Sequence, residues 1–394
     1  MSETYAFDQH HLYIPDEFHH LVRNAINRDL RVPADIILND MNVDERNWRM
    51  AAASFFKVVV GQMLALNRAI NKGKVYICFV ASTQAEEEQI HQFRAQAIQL
   101  NKDDFCIAVW IADMNAASLQ VKRALLSDNL QEYWNFEPQH SSLLAGRPDF
   151  SDLTENMDYL RLLLELDVSD DLKDRLDFSQ ILMLFWLINH EAGHILHGHF
   201  AIISPQQSTI AMFEETASEK TDSDWALTLR TLEMDADAFA AVATLRYLSA
   251  LNAKGGAWGL APSSSYDEQF FLFLLVASSM LSLSAIEKDF GSVQSKRSHP
   301  PFYIRMRMMA NTAWNNQMLP LARTHEDCGD FFIKCEMAMY HVQGTSLDQN
   351  VILQAHFKQP FTIHETPMLQ RYAELYPMLV ANKRYDGSLA DPQY

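Results

Sequence analysis

Apolar and polar positions change their period several times along the chain, and each change predicts an element. From Trp48 to Asn71 the residues Phe55, Phe56, Val59, Val60, Met63, Leu64 and Leu66 form one apolar side of a helix, which Asn71-Lys72-Gly73-Lys74 ends. Val75 to Ala81 and Phe105 to Ala112 are short runs of β-branched, aromatic and small apolar residues and read as strands. Between them, Gln84 to Leu100 reads as a polar amphipathic helix, giving a strand–helix–strand order and a small mixed sheet. Residues 1–50 show no strong period. Leu119 to Tyr133 reads as helical, and Asn135 to Asp149, with Pro138, Gly146 and Pro148, as a loop.

The second half is helical by pattern. The apolar run Ile181 to Ile188 contains no Pro and belongs to a buried helix starting at about Phe178. Ala201 to Asp224 is polar, acidic and rich in Ser and Thr, placed to act as a lid or specificity loop. Trp225 to Asn252 is a long Ala- and Leu-rich helix, and Gly255, Gly256 and Gly259 mark the turn after it. Phe270 to Ile286 is the most apolar stretch, at the short limit of the roughly 17–25 residues of a membrane span. A buried helix is expected there, with a membrane anchor as the competing reading. The pattern predicts an α+β, mainly α-helical fold in three regions: an N-terminal α/β region over 1–175, a helical region over 176–318 and a C-terminal helical extension over 319–394, frayed from Asp386 to Tyr394.

Polar residues that interrupt the apolar helices carry the candidate chemistry. His190-Glu191-Ala192-Gly193-His194 fits H-E-x-x-H. On a helix the two His lie one turn apart on one face, so they can bind one zinc ion while Glu191 serves as general base on a water. Gly198 lies where such a helix would end. Two His and a Glu are costly to bury without a partner, which weighs against a helix of merely satisfied histidines.

A catalytic zinc takes three protein ligands and keeps one open position. The layout H-E-x-x-H-x-x-G-x-x-H fails here, because His197 stands at the Gly position and Phe200 at the His position. His197 is expected on the helix surface or just behind the ligands, and His199 is too near it along the same helix end to serve instead. Glu233 and Asp237 lie four apart on one face of the later helix, with Asp235 rotated away. Glu233 is the expected third ligand, and Asp237 the acceptor of a ligand histidine's spare N–H. Asp235, Glu214, Glu215 and Glu219 are the alternative acids, and a solvated acidic patch is the competing reading. His10, His11, His19 and His20 form adjacent pairs without the spacing of a shared face and are expected at the surface.

H-E-x-G-H followed by G-H, then E-x-x-x-D on a later helix, resembles the gluzincin metallopeptidases, above all the group of the heat-shock protease HtpX and the CAAX prenyl proteases. Ser298-His299-Pro300-Pro301-Phe302-Tyr303-Ile304-Arg305 is similar to the H-P-x-x-x-x-R that these enzymes often carry. Soluble phage-exclusion peptidases of the Lit type share a similar core. The likeness covers roughly residues 180–310. It implies a zincin-like metallopeptidase core, with the small sheet ahead of the zinc helix offering an edge to an extended substrate. It implies Zn2+ on His190, His194 and Glu233, and brings the region of His299 back toward the site, where a His or Arg could stabilise an oxyanion. The alternative for that region is a helix start set by Pro300 and Pro301, with Arg305 on a structural carboxylate.

Charge narrows the partners. A net charge of −18 argues against nucleic acid and against adhesion to anionic membranes. Cys78, Cys106, Cys328 and Cys335 form no C-x-x-C and read as reduced thiols of a cytoplasmic protein. The polar, acidic start Met-Ser-Glu-Thr-Tyr does not read as a secretory signal. The expected function is a zinc-dependent endopeptidase acting on a cytosolic protein or peptide, with phage defence or stress response as its setting. The alternatives are an inactive zinc-stabilised interaction protein, disfavoured by the intact Glu191, and a membrane-attached protease.

Overall fold

In the computed structural model of the 394-residue chain, the described residues are 15–29, 34–36, 49–82, 95–110, 170–203, 223–253, 265–284, 302–320 and 362–387, with short pieces within 117–133, at 300, within 323–335 and at 389. The elements are α1 (Asp16–Asp29), β1 (Ala34–Ile36), α2 (Arg49–Ala69), β2 (Val75–Ser82), β3 (Ala95–Gln99), β4 (Phe105–Trp110), α3 (Asp170–Leu196), α4 (His199–Ile203), α5 (Ser223–Ala253), α6 (Tyr266–Ser284), α7 (Phe302–Asn315) and α8 (Thr362–Asn382). The fold is α+β, mainly helical, with one small mixed sheet.

The sheet runs β1-β2-β4-β3. β2 and β4 are parallel, while β1 and β3 flank them antiparallel. Alternation along the strands sends side chains to opposite faces. Val75, Ile77, Ala97, Phe105, Ile107 and Val109 join the large helical core, whereas Cys78, Ile98, Leu100, Cys106 and Ala108 pack with Val22 and Ala25 of α1. Both faces are therefore covered, which is why β2 and β4 read as unbroken apolar runs.

The expected helix over Gln84–Leu100 is corrected here. Ala95–Gln99 is the edge strand β3, paired antiparallel with β4, and residues 83–94 lie outside the described residues. Ala and Gln favour a helix in isolation, but pairing and burial of Ala95, Ala97 and Ile98 override that preference. The region without clear period holds α1, whose buried Val22 and Ala25 are one turn apart. On α1, His20 is exposed and His19 half-buried, while His10 and His11 lie outside the described residues. Leu64, expected on the apolar side of α2, is exposed.

α3 starts at Asp170, two turns earlier than expected, and residues 181–200 are all buried. A helix buried all round is a central one. α5 lies along it, α2 and α6 pack on α3, and α7 and α8 pack on α5. A Cβ at Gly193 would stand 3.0 Å from the Ala236 Cα, so α3 and α5 meet nearly backbone to backbone. A capping box opens α6: Glu268 Oε2 accepts from the Ser265 N–H at 3.2 Å, and Ser265 Oγ accepts from the Glu268 N–H at 3.3 Å. Residues 270–281 of α6 are buried in the protein, and no helix among the described residues is long and apolar enough to cross a membrane. One hydrophobic core links all three expected regions, from Val59 through Leu182 to Leu379.

Candidate metal centre

The contact of α3 with α5 at Gly193 and Ala236 is flanked by polar side chains from both helices. His190, Glu191 and His194 come from α3, and Glu233, Asp235 and Asp237 from α5; none is more than 6% exposed. His190 Nε2 and His194 Nε2 are 3.3 Å apart. Glu233 straddles them, with Oε2 3.3 Å from His190 Nε2 and Oε1 3.4 Å from His194 Nε2. Bonds of about 2.0–2.1 Å to a four-coordinate metal put ligand atoms about 3.3–3.4 Å apart at tetrahedral angles. The three buried residues have that spacing and could hold a metal ion.

Each ligand-type ring has its own outer partner. His190 Nδ1 faces Asp237 Oδ1 at 3.0 Å. Arg305 of α7 forks onto Asp237, Nε to Oδ2 at 2.6 Å and Nη2 to Oδ1 at 2.8 Å, and its Nη2 lies 3.6 Å from Glu233 Oε2. Burial alone would lower the pKa of His190, but Asp237 and Glu233 raise it to about 10. Burial likewise disfavours ionised Asp237, yet Arg305 and His190 hold its carboxyl below the usual range. His194 is the opposite case: burial above all lowers it to about 3, and it is neutral at pH 7.

Glu191 turns from the helix toward the sheet. Its Oε2 accepts a hydrogen bond from the backbone N–H of Ala97 in β3 at 2.6 Å. β3 is an edge strand, and Ala97 leaves no large side chain between it and α3. The carboxylate is thereby fixed one residue from His190, at the outer rim of the sheet.

A second cluster lies behind the first. α3 ends at Leu196, and Gly198 turns the chain with φ of +78°, a conformation that favours Gly. A side chain at Gly198 would also collide with the backbone of Asn382, 2.5 Å from its carbonyl oxygen. This turn brings His199 Nδ1 within 2.8 Å of His194 Nδ1. His199 Nε2 lies 3.0 Å from Asp235 Oδ2, and His197 Nδ1 contacts the same oxygen. His197 Nε2 is 3.2 Å from the Tyr385 hydroxyl, and the Tyr372 hydroxyl also bonds Asp235. Burial opposes ionisation of Asp235, but His197 and His199 hold its carboxyl far below the usual range.

His197 is therefore not on the surface; it is buried against Asp235. Asp235 points away from Glu233, as the helical rotation requires, yet it meets two imidazoles there rather than solvent. His199, Tyr372 and Tyr385 had no place in the site expected from the sequence, and Asp235 stood there only as an alternative acid. A usable signal existed: His197, His199 and Asp235 all interrupt stretches that leave no polar face on which to expose them. His299, Glu214, Glu215 and Glu219 lie outside the described residues. Comparison with protein-family models, curated proteins and solved structures finds no match to this chain.

Proposed function

We propose that the protein is a zinc-dependent endopeptidase of gluzincin type, acting on a cytosolic protein or peptide. The observation that carries this reading is the convergence of His190, His194 and Glu233, with Glu191, next to His190 in the helix, held through its carboxylate by the Ala97 N–H at 2.6 Å. Two imidazoles and one carboxylate are a donor set of catalytic zinc sites. When bound, zinc supplies a Lewis acid that polarises a peptide carbonyl and acidifies the attacking water.

The remaining work falls to the chain itself. Glu191 takes the proton of the attacking water on its carboxylate and delivers it to the leaving amine. The Ala97 N–H restrains that carboxylate, so the base is aimed before substrate arrives. Asp237 and Arg305 hold His190 in place. An extended peptide pairs with the outer edge of β3 by β-augmentation on either side of Ala97, whose N–H Glu191 takes, and this carries its scissile carbonyl past Glu191. Phage defence or a stress response is the setting that fits the resemblance. Glu191 ties α3 to β3 as well, but a structural zinc site has no need of an acid next to its first ligand, which favours catalysis over a scaffold role.

The test compares new protein N-termini in cells expressing wild type or Glu191→Gln. Loss of the base is expected to cut cleavage about 10²–10⁴-fold, with zinc content and melting temperature unchanged. The same new N-termini at the same levels in both would mean that Glu191 does not carry the reaction.

A further inference from the structure

His194 binds through Nε2 in the metal reading proposed above, and the present inference rests on that reading. An imidazole ligating through Nε2 must carry its proton on Nδ1. Among the described residues His194 Nδ1 meets neither carboxylate nor backbone carbonyl at hydrogen-bond distance, but the ring nitrogen of another histidine, His199 Nδ1, 2.8 Å away. Two ring nitrogens at that distance share one proton, so one ring donates and the other accepts.

The rest of the cluster fixes which does which. Asp235 Oδ2 stands within hydrogen-bond reach of a ring nitrogen of His197 and of His199, so it accepts from both. It lies 3.0 Å from His199 Nε2, so that nitrogen carries its ring's proton and His199 Nδ1 is left as a lone pair. That lone pair accepts from His194 Nδ1–H, which leaves His194 Nε2 as a lone pair 3.3 Å from His190 Nε2. On the far side, His197 Nδ1–H donates to the same Asp235 oxygen, and His197 Nε2 accepts from the Tyr385 hydroxyl at 3.2 Å. Tyr372 completes the shell of Asp235. With Asp235 as acceptor and His199 as a neutral ring, one arrangement of protons satisfies these contacts, and it leaves the ligand atom of His194 unprotonated.

His197, His199 and Asp235 are also residue types that bind metals, and their nearest atoms fall within 4.8 Å of one another. Their spacing separates them from the first cluster. Asp235 Oδ2 is at hydrogen-bonding distance from both rings, closer than the 3.3–3.4 Å that separates the first cluster's donors. The second cluster is closed by protons.

We propose that His199 and Asp235 are positioning residues that lock the tautomer of His194 for metal binding, and that α8, through Tyr372, and the turn after it, through Tyr385, belong to this device. The helix and that turn thereby act on the metal site through Asp235 and His197.

The test uses the full chain with zinc(II) alone as the probe. Nitrogen-15 NMR of the metal-free wild type is expected to find the His194 proton on Nδ1. His199→Phe, which keeps a ring but no acceptor, is expected to weaken zinc binding about 10–100-fold. His199→Gln, whose amide can both accept from His194 and donate to Asp235, is expected to stay within about threefold of wild type. Zinc stoichiometry is expected to be one per chain. A His194 proton on Nε2, unchanged zinc affinity in His199→Phe, or a second zinc lost with Asp235→Asn would each overturn the proposal. If His199→Phe does not fold, the wild-type NMR measurement and His199→Gln still decide it. A wild type that binds no zinc overturns the metal reading itself, an outcome distinct from zinc that binds but ignores His199.

Discussion

His190 and His194 sit one turn apart on α3, yet their outer nitrogens meet opposite surroundings. His190 faces Asp237, which is paired with Arg305, so its environment is built from full charges. His194 faces His199, whose far nitrogen leads to Asp235, so a neutral ring separates it from the nearest carboxylate on that side. The difference shows in their proton affinities. Carboxylates raise His190 to about 10, whereas burial lowers His194 to about 3. A pair of histidines at helical spacing thus need not be an equivalent pair: one ring holds a proton that a metal must displace, and the other is already bare.

The strongest way to break this comparison is to remove a ligand. His194→Ala is expected to lower zinc affinity by more than about 100-fold, beyond the loss from an outer partner, despite the intact His190 with its charged support. Metal analysis after dialysis checks this, and full zinc retention would remove the proposed centre.

A smaller effect tests whether the two surroundings share one mechanical support. Gly193→Ala puts a methyl group 3.0 Å from the Ala236 Cα, between the residues that carry Asp235 and Asp237. The helices must separate, at an expected cost of about 1–3 kcal/mol in stability. Denaturant unfolding with and without zinc measures it, and both the stability and the zinc-induced stabilisation are expected to fall. A variant as stable as wild type would mean that α3 and α5 adjust freely at this crossing.

The smallest effect sharpens the contrast directly. With its pKa raised to about 10, His190 is protonated in the metal-free protein at pH 7.5, while His194 is not. A ligand imidazole must be neutral, so zinc binding is expected to release about one proton, and affinity to rise with pH toward 10. Titration calorimetry in buffers of different ionisation enthalpy counts the protons. Release of two protons would make the histidines equivalent, and release of none would mean that His190 is neutral beforehand.

Much of the site was legible in the sequence because helical spacing is local. His190 with His194, and Glu233 with Asp237, share faces by i, i+4 geometry alone, wherever their helices lie. The same locality explains the ends of α3 and α5: Gly198 stops one, and the polar stretch before Trp225 precedes the other. Burial of α6 followed from its length and composition.

Tertiary structure decided the rest. Ala95–Gln99 became a strand only because β4 and the helical core were there to receive it, and nothing within those residues outweighs helix propensity. The Glu191–Ala97 bond joins residues 94 positions apart, and Arg305 reaches Asp237 across 68. Asp235 faces away from Glu233 by the same rotation that unites Glu233 with Asp237, so periodicity alone marked it as surplus. It gained partners because Gly198 bends the chain back and α8 closes over it, and neither event is written in the period of α5. Periodicity reports which residues share a face; the crossing of helices decides what that face meets.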